Sequence, residues 1–250
     1  MYIDVILSPA EFRTLPDRHL GTAVCVVFDV LRATSTMLTA LANGARAIIP
    51  VVEIAEAIAR RAQNPQILLA GERDGLRIRG SLSDGVDFDF GNSPREFTAD
   101  RIKGRTIVCT TTNGTRALHA CAGAAAVRIA SMGNLAAESD GLLRDNPASV
   151  LFICSGTGEQ TALEDVLAAG ALIDRIRARQ RIELGDAARI ALAVYRQACS
   201  NVTAAITDGQ NGRRLLSITD LAPDVDVCSR RDIFPFQAGM NVAGEIFRLP

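Results

Sequence analysis

Tryptophan is absent from this chain of 250 residues, lysine occurs once, at Lys103, and histidine twice, at His19 and His119. Aromatic residues make up 4% of the sequence, and the formal net charge is −1. Nucleic-acid binding needs a basic surface and, for single strands, aromatic platforms on which bases stack. Neither is present, so no nucleic acid is expected as a partner. Two histidines without metal-ligand spacing make a histidine metal site or a histidine nucleophile a poor reading. No apolar stretch reaches the roughly 18–20 residues that span a bilayer. The N-terminus, Met1-Tyr-Ile-Asp-Val-Ile-Leu7, has an early acid and no basic n-region, unlike a secretory signal. Cys25, Cys109, Cys121, Cys154, Cys199 and Cys228 include no Cys-x-x-Cys pair, which argues against zinc fingers and disulfide frameworks. A cytoplasmic protein without a membrane partner is expected. The near-exclusive use of arginine reads as genome composition, so a single arginine is weak evidence for a site.

What is present is apolar and alternating. Hydrophobic residues make up 48% of the chain, enough for a sizeable core, and its length fits one large α/β domain over residues 1–250. Val24–Phe28, Thr106–Cys109 and Val150–Cys154 read as buried strands. Each empties into a polar loop that opens a helix: Asp29–Thr36, Thr110–Thr115 and Ser155–Gly158. Ala47–Val51 and Ile67–Ala70 read as further strands, with helices over Ile54–Ala62, Thr161–Arg179 and Gly185–Ala198. This alternation predicts an α/β fold, a three-layer α/β/α architecture with a largely parallel or mixed central sheet. Shifting the chain by 80 residues lays Ser35 on Thr115, Leu38 on Leu118 and Ala40 on Ala120, a hint of a duplicated strand–loop–helix unit. Gly71–Gly91 breaks the alternation as a long loop rich in glycine and acid. Beyond Asn201 the pattern is mixed.

In an open α/β sheet, ligands bind beyond the carboxyl ends of the strands, and hydroxyls, glycines and helix N-termini suit an anion. Asp29, directly after a strand, projects at that edge either as a ligand for a hard cation or as a turn cap. Arg32 could grip a phosphoryl oxygen or simply pair with Asp29. Glu72 and Arg73 could complete a metal and anion site or lie in a solvated loop. Three threonines followed by Asn113-Gly114 fit an anion cradle better than a core strand, with a plain β-turn as the rival. Glu164 reads as the partner of Thr161 in a capping box, which leaves Asp165 as the better functional candidate. Ser93, Pro94 and Glu96 read as a helix start. Asp84, Asp87 and Asp89 match no calcium loop and read as solvated. Cys109 to Arg116 is one residue too long for a cysteine-phosphatase loop, and no Gly-x-x-x-x-Gly-Lys or Gly-x-Gly-x-x-Gly pattern occurs. Metal-assisted attack by water fits what remains.

Five blocks occur in order: Phe28-Asp-Val-Leu-Arg-Ala-Thr-Ser-Thr36, Gly71-Glu-Arg73, Gly91-Asn-Ser-Pro94, Thr110-Thr-Thr-Asn-Gly-Thr-Arg-Ala-Leu118, and Leu163-Glu-Asp165 with Ala169-Gly170. Together they resemble the 2-phosphosulfolactate phosphatase family over roughly residues 24–171. The resemblance implies a Mg²⁺-dependent phosphatase that hydrolyses (2R)-2-phospho-3-sulfolactate to 3-sulfolactate and phosphate, a step toward coenzyme M in methanogens. On that reading Asp29, Arg32, Glu72 and Asp165 are the catalytic set, with Asp29 and Glu72 on the metal. Ser35, Arg73, Thr111, Thr112, Asn113, Gly114 and Thr115 then bind a small anionic phosphorylated substrate. Arg79–Asn92 departs from the short lead into Gly-Asn-Ser-Pro expected of the family. A phosphatase for another small phosphorylated acid, or a non-catalytic anion-binding protein, remains open. So does the general base. A homodimer is expected from the size and apolar character of the chain.

Overall fold

Ala23–Phe28 and Thr106–Thr110 are buried at every position, as strands covered on both faces must be. The structure, a computed structural model, describes residues 1–18 and 20–250, so His19 lies outside the described residues. The strands are β1 (Tyr2–Ile6), β2 (Ala23–Phe28), β3 (Ala47–Pro50), β4 (Leu68–Arg73), β5 (Leu76–Arg77), β6 (Thr106–Thr110), β7 (Ala126–Ala130), β8 (Ser149–Cys154), β9 (Glu183–Leu184), β10 (Ala238–Met240) and β11 (Ile246–Arg248). The helices are α1 (Ala33–Ala42), α2 (Ile54–Gln63), α3 (Ala99–Ile102), α4 (Gly114–Ala120), α5 (Leu135–Asp145), α6 (Leu163–Arg177), α7 (Asp186–Ala198), α8 (Val202–Asp208), α9 (Gln210–Leu216) and α10 (Ala222–Ser229).

One sheet runs β5-β4-β6-β3-β11-β10-β7-β2-β8-β1-β9. It contains two parallel blocks, β4-β6-β3 and β7-β2-β8-β1. The C-terminal hairpin β10–β11 is wedged between them and pairs antiparallel with β7 on one side and β3 on the other. Three successive antiparallel steps make the two blocks run in opposite senses. The loops after β2, β4, β6 and β8 nevertheless converge on one cavity. Hydrogen bonds from the loop after β6 to Glu72 of β4 and to the Ser155 carbonyl after β8 record the convergence. The order strand–helix–strand–helix–strand occurs twice, as β2-α1-β3-α2-β4 and β6-α4-β7-α5-β8. In each set the first strand lies inside the other set's block, between its second and third strands.

Alternate side chains of the strands face opposite layers. Cys25 and Val27 of β2, with Ile48, Ile107, Ile129 and Ile153, pack against Met37, Leu38 and Leu41 of α1 and Leu118 of α4. Val24, Val26 and Phe28 face the other way, toward Leu167, Leu172 and Ile176 of α6. Leu69 and Val108 meet Ala57 of α2 on that same side of the second block. The arrangement is the three-layer α/β/α fold with a mixed, mostly parallel sheet that the sequence pattern predicts. Phe28 and Phe152 sit edge to face at 5.5 Å between ring centres, a geometry worth about 0.5–1.5 kcal/mol beyond burial. Asn43 caps α1 and Gly44 follows at φ +90°, a left-handed turn that glycine adopts without steric cost.

Candidate active site at the convergent loops

Asp29 leaves the end of β2 into the interior. Its Oδ1 accepts from the Ala33 N–H at 2.9 Å. Its Oδ2 has no protein hydrogen bond and lies against Gly114, where an added Cβ would stand 2.6 Å away. Gly114 is therefore needed for close approach, not for turn geometry. Burial pushes the Asp29 carboxyl up to about 7; the Ala33 N–H opposes this, Glu72 and Glu164 add to it, and Arg32 counters it. Glu72, at the end of β4, accepts from Thr112 N–H on Oε1 at 2.8 Å and from Gly75 N–H on Oε2 at 2.7 Å. One carboxylate thus fixes the loop after β6 and the turn after β4.

Arg32 is buried and held twice. One Nη donates to Asp224 Oδ2 at 2.7 Å and the other to the Gly75 carbonyl at 2.7 Å. Asp224 belongs to α10, is itself fully buried, and also accepts from Ser93 Oγ and Arg95 Nε, each at 2.7 Å. Ser93 therefore spends its hydroxyl on Asp224 and not on capping, and Pro94–Glu96 forms only a short 3₁₀ turn. Asn113 donates from Nδ2 to the carbonyls of Ser155 at 2.8 Å and Gly158 at 3.0 Å, which joins the loops after β6 and β8.

These loops enclose a cavity of about 250 Å³. Asp29, Arg32, Glu72, Thr112 and Asn113 line it, as do Leu31, Asp74, Gly75, Asn92, Gly156, Thr157, Gly158, Asn211 and Arg214. The other expected site residues lie behind its wall. Asp165 accepts from Val30 N–H at 2.8 Å and Gly156 N–H at 3.0 Å, tying the loop after β2 to the loop after β8. Burial, with the nearby Glu164 and Asp29 charges, pushes its carboxyl well above the ordinary carboxylate range. Ser35 Oγ donates to the Val30 carbonyl at 2.8 Å. Thr115 N–H donates to Thr111 Oγ1 at 3.2 Å, and Thr115 Oγ1 to the Thr111 carbonyl at 2.8 Å, so both residues hold the first turn of α4. Arg73 turns away and donates to Thr110 Oγ1 at 3.1 Å.

Two local expectations change. No capping box forms at α6, whose first residue is Leu163 with Ala162 before it. Glu164 is buried instead, with Oε1 accepting from Asn211 Nδ2 at 2.6 Å and Oε2 unpartnered. Its carboxyl is raised by burial. The Gly71–Gly91 segment is ordered by β5, a 3₁₀ turn and Asp89, which accepts from Leu69 N–H at 2.7 Å. Asn92, Asn211, Arg214 and Asp224 escape the sequence reading. Asn92 sits in a motif whose role the pattern leaves blank, and the other three arrive on short helices near the C-terminus.

Among the described residues, no group of three or more His, Cys, Asp or Glu side chains is arranged to hold a metal. The donor set does suit a hard cation of the Mg²⁺ kind, which takes one or two carboxylates and fills the rest of its shell from substrate oxygens and water. On the cavity wall, Asp29 Oδ2 belongs to a buried carboxylate and has no hydrogen-bond partner in the protein, free to meet that need.

Fold and cavity together define a three-layer α/β protein with a mixed acidic and basic cleft at its convergent strand ends. The family model described as 2-phosphosulpholactate phosphatase matches residues 11–237, and the chain belongs to that family. A Thermotoga petrophila protein named "Probable 2-phosphosulfolactate phosphatase" is 37% identical over 235 residues, covering 93% of this chain and 92% of its own. A Clostridium perfringens protein of the same printed name is 34% identical over 247 residues, 96% and 95% of the two chains. One from Symbiobacterium thermophilum reaches 42% over 185 residues, 73% and 76%.

Proposed function

We propose that this chain is a Mg²⁺-dependent phosphatase that hydrolyses 2-phospho-3-sulfolactate to 3-sulfolactate and phosphate in the cytoplasm. The observation that carries this reading is Asp29: a buried carboxylate with one free oxygen, in a cavity of small-substrate size, in a chain that matches the family along nearly its whole length. Asp29, with Glu72 beside it, would hold Mg²⁺, which when bound neutralises charge on the phosphoryl group. Arg32, fixed by Asp224, presents its remaining donors to phosphoryl oxygens. Thr112 offers a hydroxyl at the cavity wall, and Asn113, whose Nδ2 donates to the Ser155 and Gly158 carbonyls, holds the wall in shape. Water adds to phosphorus, the P–O ester bond breaks, and the departing alkoxide takes up a proton. Asp165, Thr111 and Thr115 act through the loops they pin. The substrate is a small anion, and we expect a homodimer, with neither nucleic acid nor membrane as partner.

Phosphate release from 2-phosphosulfolactate, 2-phospholactate and phosphoglycolate, each with Mg²⁺ and with EDTA, tests the reading. Mg²⁺-dependent release that favours the sulfonate supports it. Equal or faster release from the acids without sulfonate moves the substrate elsewhere, and no release from any of them removes the enzyme reading.

A further inference from the structure

The cavity holds two arginines in different electrostatic states. Arg32 is buried and paired with Asp224 at 2.7 Å, a carboxylate it shares with Arg95. Arg214, on α9, is exposed at the cavity rim, and among the described residues no carboxylate lies within 4.0 Å of its guanidinium. Both guanidiniums flank the same peptide: Arg32 donates to the Gly75 carbonyl, and an added Cβ on Gly75 would stand 3.4 Å from an Arg214 Nη. Asp29, Glu72 and Asp74 put three carboxylates on the cavity wall. A substrate carrying phosphate, carboxylate and sulfonate therefore meets a wall of carboxylates and, in Arg214, a guanidinium that no carboxylate pairs.

Arg214 reaches the cavity from a different element than the phosphoryl machinery does. It comes from α9, whose Asn211 donates to Thr157 Oγ1 and to Glu164 Oε1, each at 2.6 Å, whereas Arg32 comes from the loop after β2. Asn211 and Arg214 are three residues apart, hence on one face of α9. That face is held in place: Leu215 is buried, and Gly212 packs so tightly on the end of α8 that a Cβ would stand 2.1 Å from the Ile206 carbonyl. The carboxylate of 2-phosphosulfolactate shares a carbon with the phosphate ester, but its sulfonate lies one carbon further out. We infer that Arg214 is the residue that recognises the substrate's sulfonate, so that α9 sets specificity while the loops after β2, β4 and β6 bind the phosphoryl group. This inference rests on the phosphatase reading above.

The test compares Arg214→Ala and Arg214→Lys with the parent chain on 2-phosphosulfolactate, on 2-phospholactate, which lacks the sulfonate, and on 2-phosphooxyethanesulfonate, which lacks the carboxylate. Arg214→Ala removes a charge-assisted hydrogen bond to the sulfonate and lowers kcat/KM for both sulfonates about 10–100-fold more than for phospholactate. The effect should lie mainly in KM, with Arg214→Lys intermediate because it keeps the charge but not the fork. Equal decreases on all three substrates, or none, overturn the inference. Calorimetric titration of 3-sulfolactate separates the two claims. If the parent chain releases no phosphate but binds 3-sulfolactate more tightly than Arg214→Ala does, the phosphatase reading fails and the sulfonate site stands. Indistinguishable affinities remove the site.

Discussion

Asp29 and Gly114 show how much of the site depends on single atoms. The free Asp29 oxygen is 2.6 Å from where a Gly114 Cβ would be, and that same Cβ would meet Ala33 Cβ at 2.7 Å. Gly114→Ala must therefore push α1 and α4 apart or rotate the carboxylate. The expected outcome is a loss of about 1–3 kcal/mol of stability from overpacking together with at least a tenfold fall in phosphate release. Thermal melting and turnover assays on the same preparation check both. Asp165 makes a contrasting case. Its two oxygens accept two backbone N–H groups that belong to different loops. Asp165→Asn keeps one acceptor and places an amide donor opposite the other N–H. A cost of about 1–3 kcal/mol for the buried unpaired group is expected, with turnover reduced through loop displacement. Unchanged melting would show that the staple is not needed.

At the scale of elements, the strands that read clearly are those whose apolar runs are unbroken. β2, β6 and β8 emerge from Val24–Phe28, Thr106–Cys109 and Val150–Cys154 nearly as expected. β7 does not, because Arg128 interrupts it. In the fold that arginine is buried and paired with Glu138 of α5 at 3.4 Å and with Asp145, a compensation no local pattern announces. The three-residue strands β10 and β11 and the seven- and eight-residue helices α8–α10 are too short to carry a period. Asp29, Glu72 and Thr112 were legible because each stands at the end of its own strand or directly after it. Asp224 was not, since its partner Arg32 is 192 residues away. The Arg128–Glu138 contact also yields a pH effect. Burial raises the Glu138 carboxyl from 4.5 to about 7, against the pull of Arg128 and Gln237. The folded chain then holds a proton that the unfolded chain releases. That contribution to stability is fully present below 4.5 and is lost as pH climbs through about 7. The melting temperature of the parent chain should fall relative to Glu138→Gln between about pH 5 and pH 8. Parallel curves would contradict the assignment.

The whole molecule is knitted by exchange. β2 lies between β7 and β8, while β6 lies between β4 and β3, so neither half of the chain contains a complete parallel block. An 80-residue shift carries β3 into β7 and most of α2 onto α5, and we propose that the chain is a duplicated unit folded as one domain. Unfolding in urea should then be a single transition by fluorescence-independent probes such as circular dichroism and hydrogen exchange. Fragments 1–104 and 105–250 should each fail to fold alone, and recover structure only when mixed. A fragment with native-like protection would contradict this. The fold thereby makes the proposed site a property of the assembled chain: Asp29 and Glu72 come to the cavity from one half, Thr112, Asn113 and Arg214 from the other, with Asp224 of that half holding Arg32. No helix among the described residues is long and apolar enough to cross a membrane.

The most direct test is phosphate release from 2-phosphosulfolactate by the parent chain and by Asp29→Asn, with Mg²⁺ and with EDTA. Loss of a carboxylate that holds a catalytic metal removes several kcal/mol of transition-state stabilisation. Turnover by Asp29→Asn should therefore fall on the order of 10²–10³-fold while its melting temperature is maintained, and EDTA should bring the parent chain down to the same level. Full turnover by Asp29→Asn with unchanged Mg²⁺ dependence would contradict the account.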